Sequence, residues 1–257
     1  MAIGISTSCF YPETPEASLE ALGKAGVKTC EVFLNSASET SLSFAKELNR
    51  IKEYYGMNIA SIHPFTSFAE TNMFFSEYKR RFDDAVDFYK RNFEVAAETG
   101  AKLIVIHGSR LPGKIEKEEY FERFSILYDS GKQFGIETAQ ENVNLFFSEN
   151  PAFLREMKKA LGEKFKMVFD VKQSVRAGHN PFEFAKEFSK DIIHVHLSDN
   201  NEKADCLAPS DGCFDFKMLF SVLESAGYDK DYVIELYSRS FSDMGILLNS
   251  LDYLRNL

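Results

Sequence analysis

The sequence has no tryptophan and only four cysteines in 257 residues. Cys9, Cys30, Cys206 and Cys213 show no CxxC spacing. A chain with this much core does not need covalent staples, so a disulfide framework is not expected and the thiols read as reduced, in a cytoplasm. No apolar run is long enough to span a bilayer. Met1 to Thr7 lacks the charged and long apolar regions of a signal peptide and already reads as a strand. Acidic residues outnumber basic ones, 39 to 30. A net charge of -9 argues against a nucleic-acid backbone as the main partner, because phosphate binding needs a basic footprint. No linker or low-complexity tract interrupts the chain, so one domain over residues 1–257 is expected. No G-x-G-x-x-G follows the first strand; that turn reads Ser6-Thr7-Ser8-Cys9-Phe10-Tyr11-Pro12. Its absence disfavours an open, doubly wound sheet built on a phosphate turn.

What is present is a strict alternation of strand and helix signals. Apolar runs mark strands at 3–7, 30–34, 59–63, 103–107, 136–141, 166–170, 192–196 and 232–236. Helical patterns fall between them. Thr14-Pro15, Asn150-Pro151 and Asn180-Pro181 are start signals; Gly26, Gly56, Gly100, Gly135 and Gly227 are stop signals. Strands separated by helices predict a parallel sheet, and eight such units in this length predict an α/β fold, a single-domain (β/α)8 TIM barrel.

The strands also end alike. The third stops at His63, the fourth at His107, the fifth at Glu141, the sixth at Asp170, the seventh at His196 and the eighth at Glu235. Side chains alternate along a strand, so His194 and His196 are expected to share a face with Ile192. In a closed barrel the six strand-end groups would converge at the C-terminal mouth. Three carboxylates and three imidazoles facing one another would repel or mis-titrate unless a divalent cation held them. Mixed oxygen and nitrogen donors suit manganese, zinc, iron or cobalt; an all-oxygen shell would suit magnesium or calcium. No cysteine belongs to the set, which disfavours a structural zinc site.

The motifs Val105-Ile106-His107-Gly108-Ser109, Gln140-Glu141-Asn142, Phe169-Asp170-Val171-Lys172-Gln173, His194-Val195-His196-Leu197-Ser198-Asp199-Asn200 and Val233-Ile234-Glu235-Leu236 carry a resemblance. Over essentially its whole length the chain resembles the xylose-isomerase-like barrel superfamily. That group includes sugar-phosphate isomerases and epimerases, ketose epimerases, inosose dehydratases and endonuclease IV-type apurinic-site endonucleases. The resemblance implies one divalent ion on Glu141, Asp170, His196 and Glu235. Manganese or zinc comes first, with magnesium, cobalt or iron as further options. Two more histidines join in the endonuclease-like members, and His63 and His107 match them. The third-metal histidines of those members are replaced here by Gln173 and Cys206, and a Gly-x-Gly becomes Ser210-Asp211-Gly212. A trinuclear zinc centre is therefore not expected. Lys172-Gln173 look more like the sugar isomerase and epimerase branch.

The implied activity is a metal-dependent sugar or sugar-phosphate isomerase or epimerase working through a metal-stabilised enediolate. Glu141 and Glu235, on non-adjacent strands, are expected either to move protons on opposite sides of the substrate or to serve as ligands alone. His63 and His107 would meet substrate hydroxyls. Lys172, on the Asp170 face if that strand continues, would polarise a sugar oxygen or meet a phosphate, with Gln173 beside it. Asp199 would bind ligand or brace a loop. Phe10, Phe65 and Phe68 would wall the sugar face or pack the core. Arg110, Arg176 and Arg239 would meet a phosphate or solvent. The expected partner is a small carbohydrate or sugar phosphate, with no nucleic acid and no membrane; a homo-oligomer is compatible. The alternatives are an endonuclease-type phosphodiester hydrolase, a keto-polyol dehydratase of the inosose type, and a carbohydrate binder without turnover.

Overall fold

The computed structural model describes all 257 residues. Eight parallel strands close into a barrel in the order β1-β10-β7-β6-β5-β4-β3-β2. They are β1 (Ile3–Ser6), β2 (Thr29–Phe33), β3 (Asn58–His63), β4 (Leu103–Ile106), β5 (Glu137–Glu141), β6 (Met167–Asp170), β7 (Ile192–Leu197) and β10 (Tyr232–Ile234). A short antiparallel hairpin, β8 (Asp199–Asn201) with β9 (Ala204–Leu207), projects after β7. The alternation of apolar runs gives no sign of it, because three or four residues carry no readable period. No helix is long and apolar enough to cross a membrane.

The helices begin where short polar side chains can cap them. Thr14 accepts from the Ala17 N–H at the start of α1 (Pro15–Lys24), and Ser41 from the Phe44 N–H at the start of α2 (Leu42–Tyr55). A small helix, α3 (Glu70–Met73), precedes α4 (Lys79–Thr99). Gly56 and Gly100 end α2 and α4 in the left-handed region. Next come α5 (Lys117–Lys132), α6 (Pro151–Leu161), α7 (Val171–Arg176) and α8 (Pro181–Phe188). The Asn150 and Asn180 side chains cap α6 and α8, with proline at the first helical position of each. Two further helices, α9 (Phe216–Ser225) and α10 (Met244–Arg255), complete the ring.

Most of the apolar side chains lie between barrel and helices in one large cluster that includes Tyr89, Phe93, Phe169 and Phe188. Inside the barrel the apolar filling is small: Leu103, Val105, Ala139 and Val168, joined by Ile193. Two strand irregularities shape that interior. Ile193 is the extra residue opposite Met167 and Val168, and Ala60 the extra residue opposite Cys30 and Glu31. A bulge shifts the alternation by one. Ile192 therefore joins the outer core, Ile193 turns inward, and His194 does not share its face with Ile192 as simple alternation predicts. The same device at Ala60 sets Ser61 opposite Glu31.

Candidate metal centre

Above the apolar layer most inward positions are polar. On β4, β5 and β6 the inward residues run Leu103, Val105, His107; Ala139, Glu141; and Val168, Asp170. Glu141, Asp170, His196 and Glu235 each bring one donor atom to a common point, all four within 4.8 Å of one another. His196 Nδ1 lies 3.4 Å from Glu141, 3.4 Å from Glu235 and 3.7 Å from Asp170. Glu141 Oε2, Asp170 Oδ2 and His196 Nδ1 are buried and have no hydrogen-bond partner of acceptable geometry. Buried polar atoms are nearly always satisfied. The four side chains make a set of converging acidic and imidazole donors that could hold a divalent ion of intermediate hardness.

Lys172 supplies part of the counter-charge. Its Nζ sits 2.9 Å from Asp170 Oδ2 and 2.9 Å from Glu235 Oε2, although the former contact lacks hydrogen-bond geometry. It does not arrive by a continuing strand. Asp170 ends β6 and caps α7, its Oδ1 accepting from the Gln173 N–H at 2.9 Å, so Lys172 swings in from the first turn of a helix. Burial opposes the Lys172 charge, but Asp170 and Glu235 hold its pKa well above the usual lysine value. Burial pushes the Asp170 carboxyl up against the pull of Lys172. Burial also opposes ionisation of Glu141, yet the facing His107 outweighs it and holds that carboxyl well below the usual range. Glu235 is likewise lowered, burial being overcome by Lys172 and His196.

His63 and His107 face the same cleft. His63 Nε2 is 3.0 Å from His107 Nε2, and His107 Nε2 is 2.7 Å from Glu141 Oε2. His63 Nδ1 lies 3.2 Å from the Pro64 carbonyl, which makes Nδ1 the protonated nitrogen and leaves Nε2 to accept. Burial works against protonation of His107, but Glu141 raises its pKa. Gly108 turns the chain directly after His107 with φ of 89°, and its N–H donates to buried Glu70 at 2.6 Å. His63, His107 and Glu141 form a second group of converging donors.

The cleft above these groups holds about 330 Å³ and is also lined by Ser8, Phe33, Asn35, Gln173 and Tyr237. Tyr11, Phe33, Leu236 and Tyr237 supply its apolar wall, and the Phe33 ring stacks on His63 at 4.4 Å. Phe10, Phe65 and Phe68 do not line it: Phe10 packs on Phe241, Phe65 on Phe88, and Phe68 faces solvent. Of the two roles expected of Asp199, its contacts are those of the loop brace. Its carboxylate is consumed by the backbone N–H groups of Asn200, Ser210, Gly212 and Phe214 at 2.8–3.1 Å, so it braces the loop and has nothing left for a ligand. Arg176 is spent on Asp205 and the Tyr237 hydroxyl.

One residue that attention to strand ends passes over lies beneath the cluster. Glu31 is wholly buried in mid-strand β2 and accepts from Ser6 at 3.1 Å, Ser61 at 2.8 Å and His196 Nε2 at 3.0 Å. The available signal was a carboxylate at an inward position of an otherwise buried strand, since charged groups are almost never fully buried unpaired.

The model of the xylose isomerase-like TIM barrel family matches residues 19–257. The chain belongs to that family. Among its relatives, an uncharacterized protein of Methanocaldococcus jannaschii is 25% identical over 95% of this chain and 85% of its own. An inosose dehydratase of Geobacillus thermodenitrificans is 24% identical over 86% of this chain and 82% of its own. Of solved structures, a D-tagatose 3-epimerase-like protein superposes with a TM-score of 0.81 at 21% identity, covering 100% of this chain and 96% of the other. The IolI protein with a bound zinc atom superposes at 0.75 with 16% identity, covering 100% and 96%.

Proposed function

We propose that this barrel is a divalent-metal-dependent isomerase or epimerase of a small sugar or sugar phosphate, with Glu141, Asp170, His196 and Glu235 as ligands of one ion. The observation that carries the reading is the convergence of four acidic and imidazole donors, all within 4.8 Å of one another, at a cleft that Glu141 and Glu235 line. When bound, the ion would supply positive charge to a carbonyl and its neighbouring hydroxyl, which acidifies the C–H of the hydroxyl-bearing carbon. The chain does the rest. Glu235 and Glu141 come from non-adjacent strands and flank the site, so Glu235 would take the proton while Glu141, supplied by the His107 N–H 2.7 Å away, would return one from the other side. Lys172 beside Glu235 keeps that carboxylate anionic and ready to accept. His63 Nδ1–H is tied to Pro64 and its Nε2 faces His107 Nε2 at 3.0 Å, so a sugar hydroxyl that displaces this contact would meet an acceptor on one ring and a donor on the other.

A second reading, loss of water from a keto-polyol, uses the same acidified C–H and draws support from the inosose dehydratase relative. The two part at the second step: return of the proton for an epimerase, departure of a neighbouring hydroxyl for a dehydratase. The test is metal analysis of the purified protein with solvent-deuterium uptake into a panel of ketoses, their phosphates and keto-polyols. Deuterium in recovered sugar supports the first reading, and a dehydrated product supports the second. Metal-loaded protein that exchanges no C–H in any of the panel defeats both.

A further inference from the structure

The barrel interior contains a polar column that the proposed chemistry does not use. Glu31, from β2, sits on the axis under the cluster with no exposure to solvent. Its Oε2 accepts from His196 Nε2 at 3.0 Å and from Ser61 Oγ at 2.8 Å; its Oε1 accepts from Ser6 Oγ at 3.1 Å. His194 Nε2 lies 3.5 Å from the same Oε2 and 3.2 Å from Ser61 Oγ. Ser6, Ser61 and His194 hold the carboxylate from three strands, and the bulge at Ala60 is what brings Ser61 opposite it. The interaction with His196 is made by Nε2, the far nitrogen. That leaves Nδ1 pointing up into the four-donor cluster, unpartnered.

We infer that Glu31 is the positioning residue of the metal centre: by binding His196 Nε2–H it fixes the ring so that only Nδ1 can ligate, and it strengthens that nitrogen as a donor. This rests on the metal reading above and adds to it a residue 165 positions away in sequence. The physical argument has three parts. A ring nitrogen that donates to a carboxylate carries its proton there, so in the neutral ring that a metal ion requires the lone pair is on the other nitrogen. A carboxylate acceptor makes the imidazole a more basic ligand and stops it from flipping. Finally, a fully buried anion needs a counter-charge; a cation on Nδ1 supplies one through the ring, so site and brace are of mutual benefit.

Glu31 touches no substrate, because the His196 ring lies between it and the cleft. The test uses zinc alone as probe, in competition with a chromogenic chelator, on parent, Glu31→Gln and Glu31→Ala proteins. Circular dichroism melts identify the folded variants, and long-range 1H–15N spectra of the zinc-loaded proteins report which His196 nitrogen bears the metal. Glutamine keeps an acceptor of the same length without the charge. The expected order of affinity is parent, then Gln, then Ala, with losses of roughly 10-fold and 100-fold. Zinc should sit on Nδ1 in the parent, and in Ala the ring should lose its single defined state. A folded Ala variant within twofold of the parent overturns the inference, and so does zinc on Nε2 in the parent. If Ala does not fold, Gln within twofold of the parent overturns it equally. A parent that binds no zinc at all fails differently: it brings down the metal reading and this inference with it.

Discussion

Asp170→Asn separates the metal from the fold more cleanly than any other single change. The two oxygens of Asp170 have different tasks. Oδ1 caps α7 by accepting from the Gln173 N–H at 2.9 Å, and Oδ2 faces the cluster with no hydrogen-bond partner. The backbone at this point is held independently, since the Asp170 N–H donates to Asn142 Oδ1 and the Asp170 carbonyl accepts from Asn142 Nδ2. Asparagine keeps an acceptor for the cap, where it is as good as aspartate. It puts an NH2 or a weak amide oxygen where the ion needs a carboxylate. The lost contact with Lys172 is offset in part because burial already disfavours the Asp170 anion. The metal-free variant is therefore expected within about 1 kcal/mol of the metal-free parent. The loaded proteins should differ widely. At free metal a thousandfold above its dissociation constant, binding stabilises the parent by about 4 kcal/mol. For a chain of this size that is roughly 8–16 °C in Tm. The assay is a pair of thermal melts per protein, with chelator and with excess zinc or manganese. The parent should show the shift and the variant almost none. An equal shift in both would mean that the ion binds elsewhere and that the four-donor assignment is wrong.

Metal titration of apo-protein should saturate at one equivalent, and His107→Ala should still take one while losing sugar affinity; two equivalents falling to one would place a second ion on His63, His107 and Glu141. Gly108→Ala should destabilise by at least about 1–3 kcal/mol from its positive φ alone. An added Cβ would also lie 2.0 Å from the Tyr120 hydroxyl; a melt unchanged from the parent would contradict this geometry. Asp199→Ala strands four backbone N–H groups of the loop after β7, and limited proteolysis should then cut near residues 200–213 while the barrel stays intact. Of the four thiols only Cys213 is exposed, while burial drives the Cys9 thiol up to about 12. One thiol should react quickly with an aromatic disulfide reagent in the folded protein and four after denaturation; more than one fast thiol would show that the core is open.

The sequence alone determined the units and their ends. Apolar runs, N-caps such as Asn150 and Asn180, and stops such as Gly56 and Gly100 are local signals. A strand that turns polar at its last inward position, as at Glu141 and Asp170, can be read without knowing its neighbours. What only the tertiary structure decided depends on closure of the barrel. Lys172 reaches Glu235, 63 positions on, because Asp170 caps a helix instead of extending its strand. Bulges at Ala60 and Ile193 re-aim Ser61 and part His194 from Ile192, and no sequence period encodes a one-residue slip between distant strands. Glu31 looks like an ordinary mid-strand residue until β2 faces β7 across the axis. Its partners Ser6, Ser61 and His196 come from three other strands, so the physics that makes it tolerable to bury exists only once the barrel has closed.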